Sequence, residues 1–103
     1  MNKKYRIEYL PIAEQDLTEI IDYIRIDNPG AAMKLLNQID ESIEKLENFP
    51  YMGKVPKDTY LRYQNYRMLV VSNYLIFYVV NDDNDIIEIR RIIHGRRKYN
   101  FLL

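Results

Sequence analysis

The sequence predicts an α+β fold: a helical hairpin packed on one face of a mostly antiparallel four-stranded sheet, in the order βααβββ. Three observations predict it. Apolar residues recur at helical spacing in two consecutive stretches between residues 11 and 48. One short strand pattern precedes those stretches and three follow them. The signals between the elements are tight turns, which favour neighbours in space over long crossovers.

Tyr5, Ile7 and Tyr9 alternate with Arg6 and Glu8, as in a half-buried strand. Pro11 then suits the first turn of a helix, where its missing N–H costs nothing. Ala13, Leu17, Ile20, Ile21 and Ile24 form one face of that helix, and Glu14, Asp16, Glu19 and Asp22 are assigned to the opposite side. The helix should end near Asp27, because Asn28 precedes a proline and is pushed out of the helical region. Asn28-Pro29 also starts the next helix, with Asn as N-cap. Ala32, Leu35, Leu36, Ile39, Ile43 and Leu46 mark its apolar face, and Asn48-Phe49-Pro50 closes it. Two such helices joined this tightly make an antiparallel hairpin.

Pro50, Gly53 and Pro56 make residues 50–65 read as an irregular loop, with Lys54, Lys57 and Arg62 exposed on it. Three strands follow: Tyr66–Val71, Tyr74–Val80 and Ile86–Ile93. The first two are joined by Ser72-Asn73, where Asn tolerates positive φ. Tyr74–Val80 is apolar on both faces and therefore central. A polar turn, Asn81–Asn84, leads to the last strand, and a basic then apolar tail runs from His94 to Leu103.

At 103 residues the expectation is a single domain, 1–103. Hydrophobic residues make up 48%, enough for a core and too much for a disordered chain. With no cysteine, neither disulfides nor thiolate zinc sites are available, and one histidine excludes a His-rich metal site. No metal or cofactor is expected. No apolar run approaches the length of a signal peptide core or a membrane span, so a cytoplasmic protein with no membrane partner is expected. Net charge is zero but polarised. Residues 1–50 hold 6 basic and 10 acidic residues, and residues 51–103 hold 9 and 5. The basic half is the one suited to anionic partners.

Four segments of the chain resemble the RelE/ParE toxin superfamily. They are Tyr9–Leu17 at the first helix, Leu46–Gly53 after the second, Tyr66–Val70 running into Tyr74–Tyr78, and Ile89–Arg97, which ends Arg-Ile-Ile-His-Gly-Arg-Arg. Together and in this order they span nearly the whole chain. The resemblance implies a toxin of a bacterial type II toxin–antitoxin pair that arrests growth. Its partners would be a cognate antitoxin and, only indirectly through that antitoxin, operator DNA. Two targets follow from the resemblance. RelE-like members are ribosome-dependent ribonucleases that cut mRNA; ParE-like members act on DNA gyrase without hydrolytic chemistry of their own. A third reading is an inactive homologue kept as an antitoxin-binding or regulatory module.

Metal-free RNA cleavage needs a base for the 2′-OH, cations for the crowded phosphate and an acid for the leaving oxygen. The RelE-like reading assigns these roles to Arg67, His94 and Tyr99. Lys54, Lys57, Arg91, Arg96, Arg97 and Lys98 are candidates for binding RNA or a partner. Each also has a structural reading: His94 as a turn-capping group, Arg67 as half of a cross-strand pair, Arg96-Arg97-Lys98 as a solvated tail. Tyr51, Tyr60, Tyr63 and Tyr99 are the tyrosines in loop or tail, placed to stack on bases, while most of the others alternate with aliphatic residues and read as core or sheet surface. Arg90 and Arg91 are adjacent in a strand and point to opposite faces. Simple alternation puts Arg91 with Ile87, Ile89 and Ile93, and Arg90 with Glu88, Ile92 and His94; whichever meets the helices should be partly buried and paired. Zero net charge and a long hairpin favour the ParE-like reading, because a phosphate-rich ribosomal target demands a basic protein.

Overall fold

The computed structural model describes residues 3–97. Strand β1 (Arg6–Tyr9) leads through Leu10 into helix α1 (Pro11–Asp27), which begins on a proline. Helix α2 (Pro29–Glu44) follows after a single residue and ends in a 3₁₀ turn, Lys45–Glu47. That joint, Asn28, serves both helices. Its N–H donates to the Ile24 carbonyl, and its Oδ1 accepts the Ala31 N–H at 3.0 Å. A residue before proline is confined to extended backbone, so the first helix stops where the second can be capped.

A short helix α3 (Thr59–Tyr63) precedes strands β2 (Tyr66–Val71), β3 (Tyr74–Asn81) and β4 (Ile86–His94). The sheet order is β1-β4-β3-β2. The β2–β3 and β3–β4 pairs are antiparallel and β1–β4 is parallel, so the first strand lies beside the last. This is the expected hairpin on a mostly antiparallel four-stranded sheet.

Both faces of the sheet are covered. Ile76 and Tyr78 of β3 join the main core with Leu35, Ile39 and Ile43 of α2 and Ala13 of α1. Phe77, between them, turns to the other face, where it packs with Leu61 of α3 and Ile93. Alternation along one strand thus places α3 opposite the hairpin.

Four local expectations are corrected. Residues 50–65 are not all loop: Asp58 accepts the Leu61 N–H at 3.0 Å and caps α3, and Leu61 is fully buried. Asp16 is not on the solvent side of α1 but is a buried charge at the sheet interface. The positive φ of the β2–β3 turn falls on Ser72, at 54°, rather than on Asn73. Asn73 instead offers its carbonyl to the Gly95 N–H at 2.7 Å, and a Cβ on Gly95 would approach that oxygen to 3.2 Å.

The fourth correction concerns Arg90 and Arg91. Tyr78 pairs with Ile89 and Phe77 with Arg91, so Arg90 is an extra residue in β4, a β-bulge. The bulge resets the alternation. Ile87, Ile89 and Ile92 therefore share the main core, while Ile93 faces α3. The strand-wide grouping of Arg91 and Ile93 with Ile87 and Ile89 fails for this reason, and it is Arg91 whose guanidinium reaches α1.

Candidate functional site

Arg67, the second residue of β2, stands across from Tyr78. Its Nη1 donates to the Tyr51 carbonyl at 3.1 Å and the Gly53 carbonyl at 3.0 Å, and its guanidinium lies 5.0 Å from the Tyr51 ring centroid. It makes no cross-strand pair with a carboxylate among the described residues. Tyr78 works on the same segment: its hydroxyl donates to the Pro50 carbonyl at 2.8 Å and accepts the Gly53 N–H at 2.9 Å. Only glycine fits at 53, since a Cβ there would lie 2.5 Å from the Tyr78 oxygen and 2.9 Å from the Met68 carbonyl.

The Tyr51 hydroxyl donates to Asp82 Oδ2, and Tyr5 donates to Asp82 Oδ1 at 2.5 Å. One carboxylate in the β3–β4 turn thereby joins the N-terminal segment to the loop after α2. The two phenols, Tyr5 first and then Tyr51, hold the Asp82 carboxyl below its usual range. The same bond pushes Tyr51 up to about 12. Beside this clasp opens a groove of about 370 Å³, lined by Tyr51, Arg62, Asn65, Tyr66, Arg67 and Asp82 among others.

His94 lies at the other end of the sheet. It ends β4 across from Tyr74, whose ring meets it edge-on at 5.3 Å between centroids. Its Nδ1 accepts the Arg96 N–H at 3.1 Å, and its carbonyl accepts the Arg97 N–H at 2.9 Å. This is the turn-capping arrangement. The β3 partners of Arg67 and His94 are Tyr78 and Tyr74, four residues apart, or about 13 Å at the rise of a strand. The structure does not bring Arg67 and His94 together. Tyr99 and Lys98 lie outside the described residues.

Arg91 is bound to α1. Its Nε donates to Asp16 Oδ2 at 2.7 Å and its Nη2 to Oδ1 at 3.0 Å, with both side chains nearly buried. The bidentate bond to Asp16 raises the Arg91 pKa further. Asp16 Oδ2 also accepts the Ile92 N–H at 3.0 Å. Since β1 ends opposite Ile89, Asp16 supplies the acceptor that a longer β1 would have offered. Arg90 stays on the other side: its Nη2 donates to Glu88 at 2.6 Å, its guanidinium lies 5.9 Å from the Tyr66 ring centroid, and its buried Nε has no partner among the described residues.

Of the remaining cations, Lys54, Lys57 and Arg62 surround α3 and are exposed, as are Arg96 and Arg97 after β4. Among the described residues no cluster of His, Cys, Asp and Glu has a metal-site arrangement, and no helix is long and apolar enough to cross a membrane. Sequence reasoning missed Asp82, Tyr5 and the bond between Asp16 and Arg91. Asp16 carried a signal, three residues after Ala13 and four before Ile20, within the apolar face. Asp82 carried none, because its partners are distant in the chain.

The family model described as the ParE toxin of type II toxin–antitoxin system, parDE, matches residues 7–99. No curated relative matches. Among solved structures, the chain is similar to one from the chromosomal ParDE toxin–antitoxin system of P. aeruginosa. The TM-score is 0.72 at 20% identity, over 89% of this chain and 97% of that one. It is also similar to a chain of the RelBE2 toxin–antitoxin complex of Mycobacterium tuberculosis. There the TM-score is 0.62 at 16% identity, over 88% of this chain and 98% of that one.

Proposed function

The chain belongs to the ParE toxin family of type II toxin–antitoxin systems, and from that premise we propose that it arrests growth by binding DNA gyrase, not by cutting RNA. One observation carries this reading. The groups a nuclease would converge on a phosphate are separated and already engaged. Arg67 holds two backbone carbonyls, and His94 caps a turn about 13 Å further along the sheet. Arg91, a third candidate cation, is bound to Asp16 within the fold. Action through a surface needs no such convergence.

A cytoplasmic partner antitoxin completes the proposal. Both solved relatives come from toxin–antitoxin systems, and antitoxin tails of this class fold onto their toxins on binding. The exposed Arg96 and Arg97 suit an acidic tail.

Messenger RNA cleavage on the ribosome is the second reading. It is favoured by the groove in which Arg62 and Arg67 meet the rings of Tyr51 and Tyr66. Purified chain added to a gyrase supercoiling assay and, separately, to ribosomes carrying mRNA decides between them. Supercoiling should be inhibited and the mRNA should remain intact. Cut mRNA with unaffected supercoiling would reverse the assignment, and no growth arrest from the native chain would leave only a regulatory role.

A further inference from the structure

We propose that the sheet face opposite the helical hairpin binds single-stranded DNA, on a surface built from α3 and the loop before it. The choice of DNA over RNA rests on the gyrase reading; the surface itself rests on charge, exposure and geometry.

The two layers flanking the sheet are oppositely charged. Residues 11–47, the hairpin and its 3₁₀ turn, hold nine acidic and three basic residues. Residues 51–67 hold Lys54, Lys57, Arg62 and Arg67 against Asp58 alone. The Asp58 carboxylate is occupied in capping α3. Lys54, Lys57 and Arg62 are exposed and form no ion pair among the described residues. A chain of zero net charge has thus gathered unneutralised cations on one face, which is the electrostatic footprint of a polyanion site.

Two aromatic residues of the same segment are exposed as well. Tyr63 is 82% exposed and Tyr60 45%, three residues apart on a helix that Leu61 anchors into the Phe77–Ile93 cluster. At that spacing the rings leave the same side of α3. They contribute little to the core, and they alternate with Lys57 and Arg62. Phosphates alternate with bases in the same way along a single strand, and every base offers a face for stacking. The groove lined by Arg62, Arg67, Tyr51 and Tyr66 continues this surface towards the end of the sheet, where it is bounded by Asp82, whose carboxylate is engaged by the hydroxyls of Tyr5 and Tyr51.

An extended acidic peptide fits less well. Such a ligand would add to the free edge of β2, but there both the N–H and the carbonyl of Met68 are bonded to Lys54 at 2.8 Å.

The test is fluorescence anisotropy of a labelled oligothymidylate of about 12 nucleotides, within the usual site size of such surfaces, titrated with the full chain. Contacts from Lys57, Arg62 and Lys54 predict a slope of about −2 for log K against log salt. Affinity should therefore fall about twenty-fold between 50 and 200 mM salt. Lys57→Glu with Arg62→Glu should weaken binding at least ten-fold. Tyr63→Ala should weaken it roughly five- to a hundred-fold without changing the slope. All three side chains are exposed, so each variant should keep the circular dichroism spectrum of the native fold. No binding at 50 mM salt, binding unchanged in the Lys57/Arg62 variant, or clearly tighter binding of the matching oligouridylate would each overturn the proposal. The assay contains no gyrase, so failure to inhibit supercoiling would strike the target assignment alone.

Discussion

Asp16 of α1 clamps Arg91 of β4 with two hydrogen bonds while accepting the backbone N–H of Ile92 from the same strand. One carboxylate thus ties the helical hairpin to the sheet where β1 runs out.

Asp16→Ala removes three hydrogen bonds and leaves a nearly buried guanidinium without that carboxylate. Breaking a buried pair from one side typically costs about 3–5 kcal/mol. Urea denaturation should show a loss of that order. The Asp16→Leu, Arg91→Met double variant should be less destabilised than Asp16→Ala, because both charges are then removed from the interface; equal or greater destabilisation would contradict the clamp.

Arg67 separates a structural from a chemical role. Its bonds to the Tyr51 and Gly53 carbonyls predict that Arg67→Ala lowers stability by about 1–2 kcal/mol, the value of charge-assisted bonds at a partly exposed site. The accompanying drop in Tm should be measurable by calorimetry. Unchanged Tm with lost toxicity would instead mark Arg67 as a group acting on a ligand.

His94→Ala should leave growth arrest intact, since the ring caps a turn and touches Tyr74. Induction of the variant in cells, followed by colony counting, reads this directly. A folded but harmless variant would return His94 to catalysis.

Alkaline pH probes the clasp at Asp82. Tyr51 has its pKa raised from 10.0 to about 12, chiefly by its hydrogen bond to that carboxylate. A group whose folded pKa is raised contributes stability that is complete below pH 10 and is lost as pH rises towards 12. Tyr51→Phe should reduce the loss of stability across that window, leaving the share contributed by Tyr5, Tyr9 and Tyr78, whose pKa values are also raised. Tyr9, pushed up to about 12 by burial, should still titrate late in ultraviolet difference spectra of the same variant. At the acid end the sign reverses: Asp82 is held low, so its contribution is present above the ordinary carboxylate pKa and lost as pH falls through the folded value.

Gly53→Ala tests the close approach of the loop to Tyr78. The added methyl meets the Met68 carbonyl as well as a phenol, and overpacking of this kind costs about 1–3 kcal/mol. Thermal melts should register it, and a neutral result would mean the loop can step aside.

What the chain's own letters reveal is set by distance along it. Asn28-Pro29 marks a helix end and a helix start because both effects act within four residues, and the structure places both there. Tyr74–Val80 reads as a central strand because it is apolar on both sides, and β3 lies inside the sheet. The register of β4 did not follow, since the bulge at Arg90 is a property of its pairing with β3 and leaves no mark in the alternation of the strand itself. The five residues of α3 were hidden by the prolines and glycine before them, although Asp58-Thr59 is a fair capping signal. The clasp of Tyr5, Tyr51 and Asp82 joins residues up to 77 positions apart, and nothing local announces such a meeting.

The parallel pairing of β1 with β4 also has a meaning in time. The last strand sits between the first and the third, so a growing polypeptide has no place to dock Arg6–Tyr9 until Ile86–His94 has left the ribosome. Pairings so remote in sequence form late. At about 5–20 residues per second, the roughly 80 residues of chain from β1 to β4 keep the first strand waiting several seconds for its partner.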